Sequence, residues 1–174
     1  MPLLAGYIGI GEYMNTQKDT AVSKYQKGKA FEKEIHRFLE QKGIDVEEQP
    51  KITIGIKAKK EHAFDLGNEK FLVECKTDKW RNENDVPSGK LAEWAKAMFD
   101  FYLAPKKYAK YFFAKKEYSP KKGKTLLEHF IDCYNYLIPS DVVLIDYNTE
   151  NQSTDVYVYD EDKMQHIKTA KFVF

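Results

Sequence analysis

The sequence predicts a fold of the α/β or α+β class, built around one mixed β-sheet. Helical periodicity alternates with short strand patterns in the order helix, three strands, helix, strand, followed by further short elements. The chain has 174 residues, of which 43% are hydrophobic, and this is enough for one buried core. We therefore expect a single domain over residues 1–174. A net charge of only +1 excludes a wholly disordered chain.

The first helix is predicted over about residues 20–42. It has an apolar stripe at helical spacing, formed by Phe31, Ile35, Phe38 and Leu39. Gly43 suits the end of this helix. An extended segment over 44–56 follows, and Pro50 predicts a bend or a sheet edge in its middle.

Two short strands are predicted next, over residues 62–66 and 71–77, with 67–70 as the hairpin connection. A second helix over 88–104 ends before Pro105, and a third over 124–138 ends before Pro139. The remaining strand predictions cover 108–114, the buried strand 142–147, and 156–159 and 171–174 near the C-terminus.

The chain shows no feature of a membrane or disulfide-rich protein. It has no apolar run near the ~18–20 residues that a membrane helix needs. The apolar segment 2–10 lacks a basic leader and a convincing cleavage site. Cys75 and Cys133 form neither a disulfide framework nor a zinc pattern, which indicates reduced, buried thiols. We therefore expect a cytoplasmic protein with no membrane partner.

The positive charge is concentrated in residues 106–124, which contain eight lysines and one acid, Glu117. Interleaved Tyr and Phe residues favour a phosphate-contacting face. The alternative is an edge strand whose lysines prevent aggregation. The candidate nucleic-acid-binding residues are Lys79, Arg81, Lys106, Lys107, Lys110, Lys115 and Lys116. The chain has only two arginines, which argues mildly against heavy guanine readout.

Residues 62–77, HAFDLGNEKFLVECKT, contain the pattern that indicates chemistry. With a hairpin loop of two or four residues, Leu66 pairs with Phe71, and Asp65 lies diagonal to Glu74 at about 7–8 Å. Alternation then places two sets of side chains on opposite faces: Asp65, Leu72, Glu74 and Lys76 on one, and Phe64, Leu66, Phe71, Val73 and Cys75 on an apolar one. A three-residue loop would separate Asp65 from the other polar residues.

Two carboxylates at that separation can hold one hard cation such as Mg²⁺, in a solvated cleft, with Lys76 beside it. On the first helix, Glu32 lies at the shoulder of the apolar stripe and can reach toward the same point. Taken alone, Glu-x-Lys in a strand is usually a solvated pair, and Glu32 equally fits an ordinary exposed helix acid. His62 lies near the proposed site in sequence and is interpreted as structural.

With Glu32, Asp65 and Glu74-Cys75-Lys76, followed by a helix and a strand, the chain resembles the PD-(D/E)XK nuclease superfamily over about 28–147. Phe64 replaces the proline of the motif. The resemblance implies a restriction-endonuclease-like core of order αβββαβ over about 20–147, with 148–174 as a C-terminal extension.

The resemblance also implies site roles. Asp65, Glu74 and the Cys75 carbonyl would bind Mg²⁺, with Mn²⁺ as a substitute. Glu32 would assist, and Lys76 would orient or activate water. Whether Lys76 is a general base or a fixed cation is open at the level of sequence.

The function implied is a Mg²⁺-dependent DNA endonuclease that leaves 5′-phosphate and 3′-hydroxyl ends. DNA is the expected partner, and a homodimer is possible because both strands must be cut. Two alternatives remain open: a non-catalytic nucleic-acid-binding or interaction domain, and an RNA-directed nuclease with the same site.

Overall fold

A computed structural model describes residues 10–82, 84–172 and 174, with side chains from residue 23 onward. The apolar segment 2–10 lies outside the described residues, apart from the backbone of Ile10. The helices are α1 (Ile10–Gln41), α2 (Ser88–Leu103) and α3 (Leu126–Tyr134), the last continued by a 3₁₀ turn over Asn135–Leu137. The strands are β1 (Glu47–Glu48), β2 (Lys51–Ile54), β3 (Lys60–Ala63), β4 (Leu66–Gly67), β5 (Phe71–Lys76), β6 (Ala109–Lys115), β7 (Tyr118–Ser119), β8 (Lys124–Thr125), β9 (Val142–Tyr147), β10 (Thr154–Asp160) and β11 (Gln165–Thr169).

The fold is α/β, with a mixed seven-stranded sheet in the order β1-β4-β5-β6-β9-β10-β11. The three central strands β5, β6 and β9 are parallel, and the outer pairs are antiparallel. Their connections run through α2 and α3, because parallel neighbours need a crossover. The hairpins β2–β3 and β7–β8 form two small sheets outside the central one.

Helix α1 begins at Ile10, earlier than the predicted start near residue 20. Its end agrees with the prediction, since Gly43 has φ +78°. The Gly43 N–H donates to the Glu40 carbonyl and the Ile44 N–H to the Leu39 carbonyl, both at 2.9 Å. This pair of bonds is a Schellman motif. It reverses the chain and directs it into β1.

Two apolar cores lie on the two faces of the sheet. The core on the α1 side includes Phe31, Ile35, Phe38, Leu39, Val73, Phe113, Ile145 and Tyr147. The core on the side of α2 and α3 includes Leu72, Trp94, Met98, Phe112, Phe130 and Leu144. Central strands covered on both faces are continuously apolar, as the run Tyr111–Ala114 in β6 is.

The C-terminal region differs from the sequence prediction. The last strand is Gln165–Thr169, paired with β10, whereas Lys171, Phe172 and Phe174 lie outside strands. The two phenylalanines instead pack against the α1-side core. Cys133 is exposed, so the expectation of two buried thiols holds only in part, with Cys75 half-buried. None of the helices within the described ranges is both long and apolar enough to cross a membrane.

Candidate active site

The β4–β5 hairpin brings Asp65 next to Glu74. Leu66 pairs with Val73 and Gly67 with Leu72, so the predicted pairing of Leu66 with Phe71 is wrong by two residues. The physical reason is Asn68, whose Oδ1 accepts the N–H groups of Lys70 (2.7 Å) and Phe71 (2.9 Å) and holds a four-residue loop. A shift of two residues preserves the faces of the side chains within β4 and β5. Asp65 precedes β4 and lies close enough to Glu74 for the two carboxylates to interact.

The chain bends at Phe64 and Asp65, between β3 and β4. The Phe64 N–H donates to the Pro50 carbonyl (3.2 Å), and the Asp65 N–H donates to the Val73 carbonyl (3.1 Å). Phe64 therefore stacks on Phe101 in the α2-side core, at a centroid distance of 5.3 Å. The prediction that Phe64 shares the face of Leu66 is wrong, because the alternation of one strand does not continue through a bend.

Asp65 lies beside β5, immediately before the first residue of β4. Its Oδ2 accepts the backbone N–H of Cys75 at 2.8 Å, which fixes one oxygen of the carboxylate. The N–H and C=O of one strand residue point to the same edge, so the Cys75 carbonyl is directed to this edge of β5 as well. Its side chain lies on the opposite, α1-facing side of β5.

Glu74 is only 6% exposed, so the expectation that it faces a solvated cleft is wrong. Its Oε2 lies 3.5 Å from Lys76 Nζ, and its Oε1 lies 3.6 Å from His62 Nε2. His62 Nε2 is also 3.8 Å from Asp100 Oδ2, which Lys96 Nζ contacts at 2.6 Å. Lysine or histidine nitrogens and carboxylates thus alternate from β5 across β3 to α2.

The two acids are electrostatically coupled. Burial and, after it, the adjacent Glu74 carboxylate raise the pKa of Asp65 to about 8, against the opposing effects of the Cys75 N–H and Lys76. Burial also opposes ionisation of Glu74, but His62 and Lys76 outweigh it and hold the pKa of Glu74 below its usual value. Without a cation the pair therefore carries one proton near neutral pH, on Asp65.

Lys76 remains charged in this environment. Burial acts to lower its pKa, but the neighbouring Glu74 and Asp65 outweigh burial, and the net direction is upward. A lysine that loses its proton reluctantly is a poor general base. In the absence of a metal ion, the charges of Glu74 and Asp65 thus favour a protonated Lys76, as a fixed cation requires.

The donor set fits a hard divalent cation. Two carboxylates and a backbone carbonyl are oxygen ligands, and Mg²⁺ usually takes one or two carboxylates and keeps several waters. A proton retained between neighbouring carboxylates indicates a position where a cation would neutralise charge. Across residues 23–82 and 84–172, no group of three or more His, Cys, Asp or Glu side chains is arranged to hold a metal. Water would have to complete the coordination.

Glu32 lies near the pair through its partner Lys29, whose pKa is raised mainly by the hydrogen bond to Glu32 and also by the charge of Asp65. The Glu32 Oε2 accepts Lys29 Nζ at 2.5 Å on α1. Its charge acts on the Cys75 thiol, whose pKa is raised mainly by burial, so Glu32 lies on the α1 side of β5. Among the described side chains, no hydrogen bond or ion pair joins Glu32 to Asp65 or Glu74.

The predicted basic residues fall into separate places. Lys106 and Lys107 are exposed ahead of β6, at the end of the sheet opposite Lys76, since β5 and β6 are parallel with Phe71 beside Ala109. Lys110 is 2% exposed, and its Nζ contacts Asp141 at 2.6 Å. A phosphate contact by Lys110 does not fit this burial, because its side chain lies beside the core.

The other candidates lie at the same end of the sheet as Lys76. Lys115 is 3.5 Å from Glu117, and Lys116 is 2.6 Å from Asp155, so both have acidic partners already. Lys79 and Arg81 are exposed. They flank Trp80, which is buried and whose Nε1–H donates to the Glu117 carbonyl at 3.0 Å.

His62 is the residue of the site that sequence reasoning missed. The sequence predicts a structural role for His62. In the structure, its Nε2 also faces the candidate metal ligand Glu74, as well as Asp100. Its ring packs edge-on against Phe64, at a centroid distance of 4.7 Å. The only available signal was its position three residues before Asp65. The contact itself depends on long-range packing of the β2–β3 hairpin against α2.

The chain was compared with protein-family models, with curated proteins and with solved structures, and none of the three comparisons gives a match.

Proposed function

We propose that this protein is a Mg²⁺-dependent nuclease that hydrolyses DNA to 5′-phosphate and 3′-hydroxyl ends. The observation that carries the proposal is the coupled pair Asp65 and Glu74, with the Lys76 ammonium 3.5 Å from Glu74. The order α1, β1, β4, β5, α2, β6 supports a restriction-endonuclease-like core, since it follows the expected αβββαβ order. The β2–β3 hairpin is then an insertion in that core.

The residues of the chain have distinct roles in this proposal. Asp65, Glu74 and the Cys75 carbonyl would hold the cation, which polarises the phosphoryl oxygen and makes bound water a competent nucleophile. The Cys75 N–H fixes the orientation of the Asp65 carboxylate. Lys76 stays protonated and stabilises the negative charge that develops on the phosphate. His62 holds Glu74 from the side opposite Lys76.

The test is cleavage of supercoiled plasmid, single-stranded DNA, branched DNA and RNA, with Mg²⁺, Mn²⁺ or EDTA. Asp65→Asn and Glu74→Gln should abolish cleavage, with losses of at least about 10²-fold, the usual effect of removing one catalytic interaction. Glu69→Gln is the matched control, because Glu69 is an exposed acid of the same hairpin. Wild-type rates in both site variants would refute the proposal.

A specific observation favours a second candidate, a nucleic-acid-binding domain that does not cleave. Both Glu74 oxygens already face side chains of the chain that can carry positive charge, His62 and Lys76. Such a domain would bind DNA equally well in EDTA and in Mg²⁺, and would never cut it. The same plasmid assay, run beside a binding titration, separates the two functions.

A homodimer belongs to the same proposal, since one site cuts one strand and duplex cleavage needs two. Sedimentation of the protein with and without a DNA duplex measures the oligomeric state. A monomer that nicks plasmid without linearising it would support the proposed nuclease and contradict the proposed homodimer.

A further inference from the structure

The β2–β3 hairpin concentrates positive charge outside the central sheet. Residues 51–63 contain four lysines and one acid, Glu61, which lies 4.0 Å from Lys51, and they form a second basic segment besides 106–124. Within it, Lys57, Lys59 and Lys60 are exposed. In the part of the chain that the structure describes, Lys57 and Lys60 make no side-chain hydrogen bond or ion pair.

The tip of the hairpin is a defined turn with an apolar residue at its end. Gly55 has φ +139°, and a Cβ there would lie 2.1 Å from the Ala58 carbonyl oxygen, so only glycine fits. Lys59 Nζ donates to the Gly55 carbonyl at 2.5 Å and closes the turn. Ile56 next to it is 72% exposed. An exposed isoleucine among lysines is not needed for packing.

The two strands of the hairpin are anchored beside the candidate active site, up to the last pair before the turn. Ile54 is 1% exposed in the α2-side core, and Ile52 pairs with His62. Side chains alternate along a strand, so Lys60 is on the same face of β3 as His62, about 7 Å further along. His62 itself is 3.6 Å from Glu74. The lysines therefore begin two residues from His62 along β3, on the side of His62 away from Asp65.

We infer that this hairpin is an arm that binds the backbone of the nucleic acid lying across Asp65 and Glu74. This rests on the proposed function for the position of the nucleic acid. Lys57, Lys59 and Lys60 would neutralise phosphates next to the cut, as cationic side chains do in non-specific nucleic-acid binding. Ile56 would contact sugars or base edges, as apolar side chains do when they enter the minor groove.

The charge pattern favours this arm over residues 106–124 as the main phosphate contact. Lys106 and Lys107 lie at the far end of the sheet, whereas Lys110, Lys115 and Lys116 have acidic partners. Lys57 and Lys60 are on the β2–β3 hairpin, which also contains His62, and among the described residues they have no acidic partner.

The test is DNA binding by fluorescence anisotropy in EDTA, over a series of salt concentrations. The triple variant Lys57→Gln, Lys59→Gln, Lys60→Gln should bind a short duplex at least about tenfold more weakly, with a salt slope shallower by about 2 to 3. The matched control removes three exposed lysines elsewhere, Lys70, Lys163 and Lys171, and should change affinity less than about twofold. Equal losses in both triples would overturn the arm.

Two further variants separate the turn from the charge. Lys57→Gln with Lys60→Gln leaves the Lys59–Gly55 bond intact. This double variant should show about two thirds of the change in salt slope that the triple variant shows, because it removes two of the three charges. Ile56→Ser should weaken binding several-fold with the salt slope unchanged. Thermal melts within 2 °C or so of wild type would show that each variant is folded.

Binding in EDTA does not depend on hydrolysis, so the two proposals can fail separately. A wild type that never cuts DNA but needs the arm lysines to bind it refutes the nuclease and retains the arm. A wild type that cuts DNA, beside an arm triple that binds and cuts equally well, retains the nuclease and refutes the arm. Absence of any DNA or RNA binding by the wild type also refutes the arm.

Discussion

Burial and the Glu74 charge both raise the pKa of Asp65, so this carboxyl group holds a proton near neutral pH when no cation is bound. Replacing Asp65 by Asn keeps an oxygen for the Cys75 N–H and removes the cost of protonating a carboxylate on folding, because the pKa of Asp65 is raised in the folded state. We expect Asp65→Asn to be more stable than wild type in EDTA by about 1 kcal/mol, or roughly 2–4 °C in Tm. Mg²⁺ should raise the Tm of the wild type and leave that of the variant unchanged.

Thermal melts with and without Mg²⁺ measure both effects. Glu69→Gln serves as the control, because it removes an exposed acid outside the pair. The same Mg²⁺-dependent shift in Asp65→Asn as in wild type would show that the cation binds elsewhere.

Replacing Lys76 by alanine and by arginine distinguishes a fixed cation from a general base at this position. We expect Lys76→Ala to lose about 10²–10³-fold in kcat while its Mg²⁺-dependent Tm shift persists. Lys76→Arg should keep a substantial part of the rate, because arginine still supplies a positive charge beside Glu74 but cannot act as a base. The measurement is kcat on a DNA duplex. An arginine variant as slow as the alanine variant would indicate a general base.

At the scale of elements, a second buried acid, Asp146 of β9, lies beside the N-terminus of α3. Thr125 caps the helix by accepting the Glu128 N–H at 3.1 Å, and its hydroxyl donates to Asp146 Oδ2 at 2.5 Å. The other oxygen, Asp146 Oδ1, has no partner among the described residues, and Asp146 is 0% exposed. Burial raises the pKa of Asp146 to about 7.

This raised pKa predicts how stability depends on pH. The folded protein holds the Asp146 proton more tightly than the unfolded chain, whose pKa is near 3.8. The stabilisation is therefore complete below about pH 4 and is lost as pH rises to about 7, by up to about 4 kcal/mol. In Asp146→Asn, which still accepts the Thr125 hydroxyl, this part of the fall should disappear, while the part due to Asp65 remains.

Urea unfolding at pH 5 and pH 8 measures the difference. Asp162→Asn is the control, because Asp162 is exposed in the β10–β11 turn. A wild type and an Asp146→Asn variant with parallel pH profiles would show that Asp146 is ionised in the folded state.

Elements with a strong local pattern were predictable from the sequence. The buried strand 142–147 has the predicted bounds, and the apolar faces of α1 and α2 lie in the two cores. Strand β11 was missed, because its run Gln165–Thr169 is mostly polar and forms by pairing with β10. Strand formation of this kind depends on tertiary context more than on local preference.

The candidate site was predictable in part for the same reason. Alternation in β5 correctly predicts that Glu74 and Lys76 share a face, since period two is a local property. The hairpin register depends on the Asn68 hydrogen bonds, and the face of Phe64 depends on a two-residue bend. The His62 and Asp100 contacts join separate elements, and no local pattern predicts them.

At the scale of the whole molecule, the C-terminal segment closes the α1-side core. The Phe174 ring is 5.3 Å from Phe38 and 6.2 Å from Phe113. Phe172 contacts Tyr111 at 6.2 Å between centroids. Removing residues 171–174 should therefore lower the free energy of unfolding by about 2–4 kcal/mol, given partial burial of two aromatic side chains.

Urea unfolding measures this loss, and Lys171→Ala, an exposed change in the same segment, is the control. At a temperature where the truncated protein is folded, DNA cleavage should be unchanged, because Glu74 and Lys76 lie on the other face of the sheet. An unchanged unfolding free energy would show that these rings add no net stability.

The direct pairing of β1 with β4 has a consequence for how such a chain can diversify. Whatever is inserted between these two neighbours does not have to support the sheet. Among the described residues, Ile52, Ile54 and His62 hold the inserted hairpin against the α2-side core. Residues 56–58 can therefore be exchanged while Gly55 and Lys59 keep the turn. Under the proposed function, such an exchange should change which nucleic acid is bound and leave Asp65, Glu74 and Lys76 in place, so that binding preference and chemistry can evolve separately.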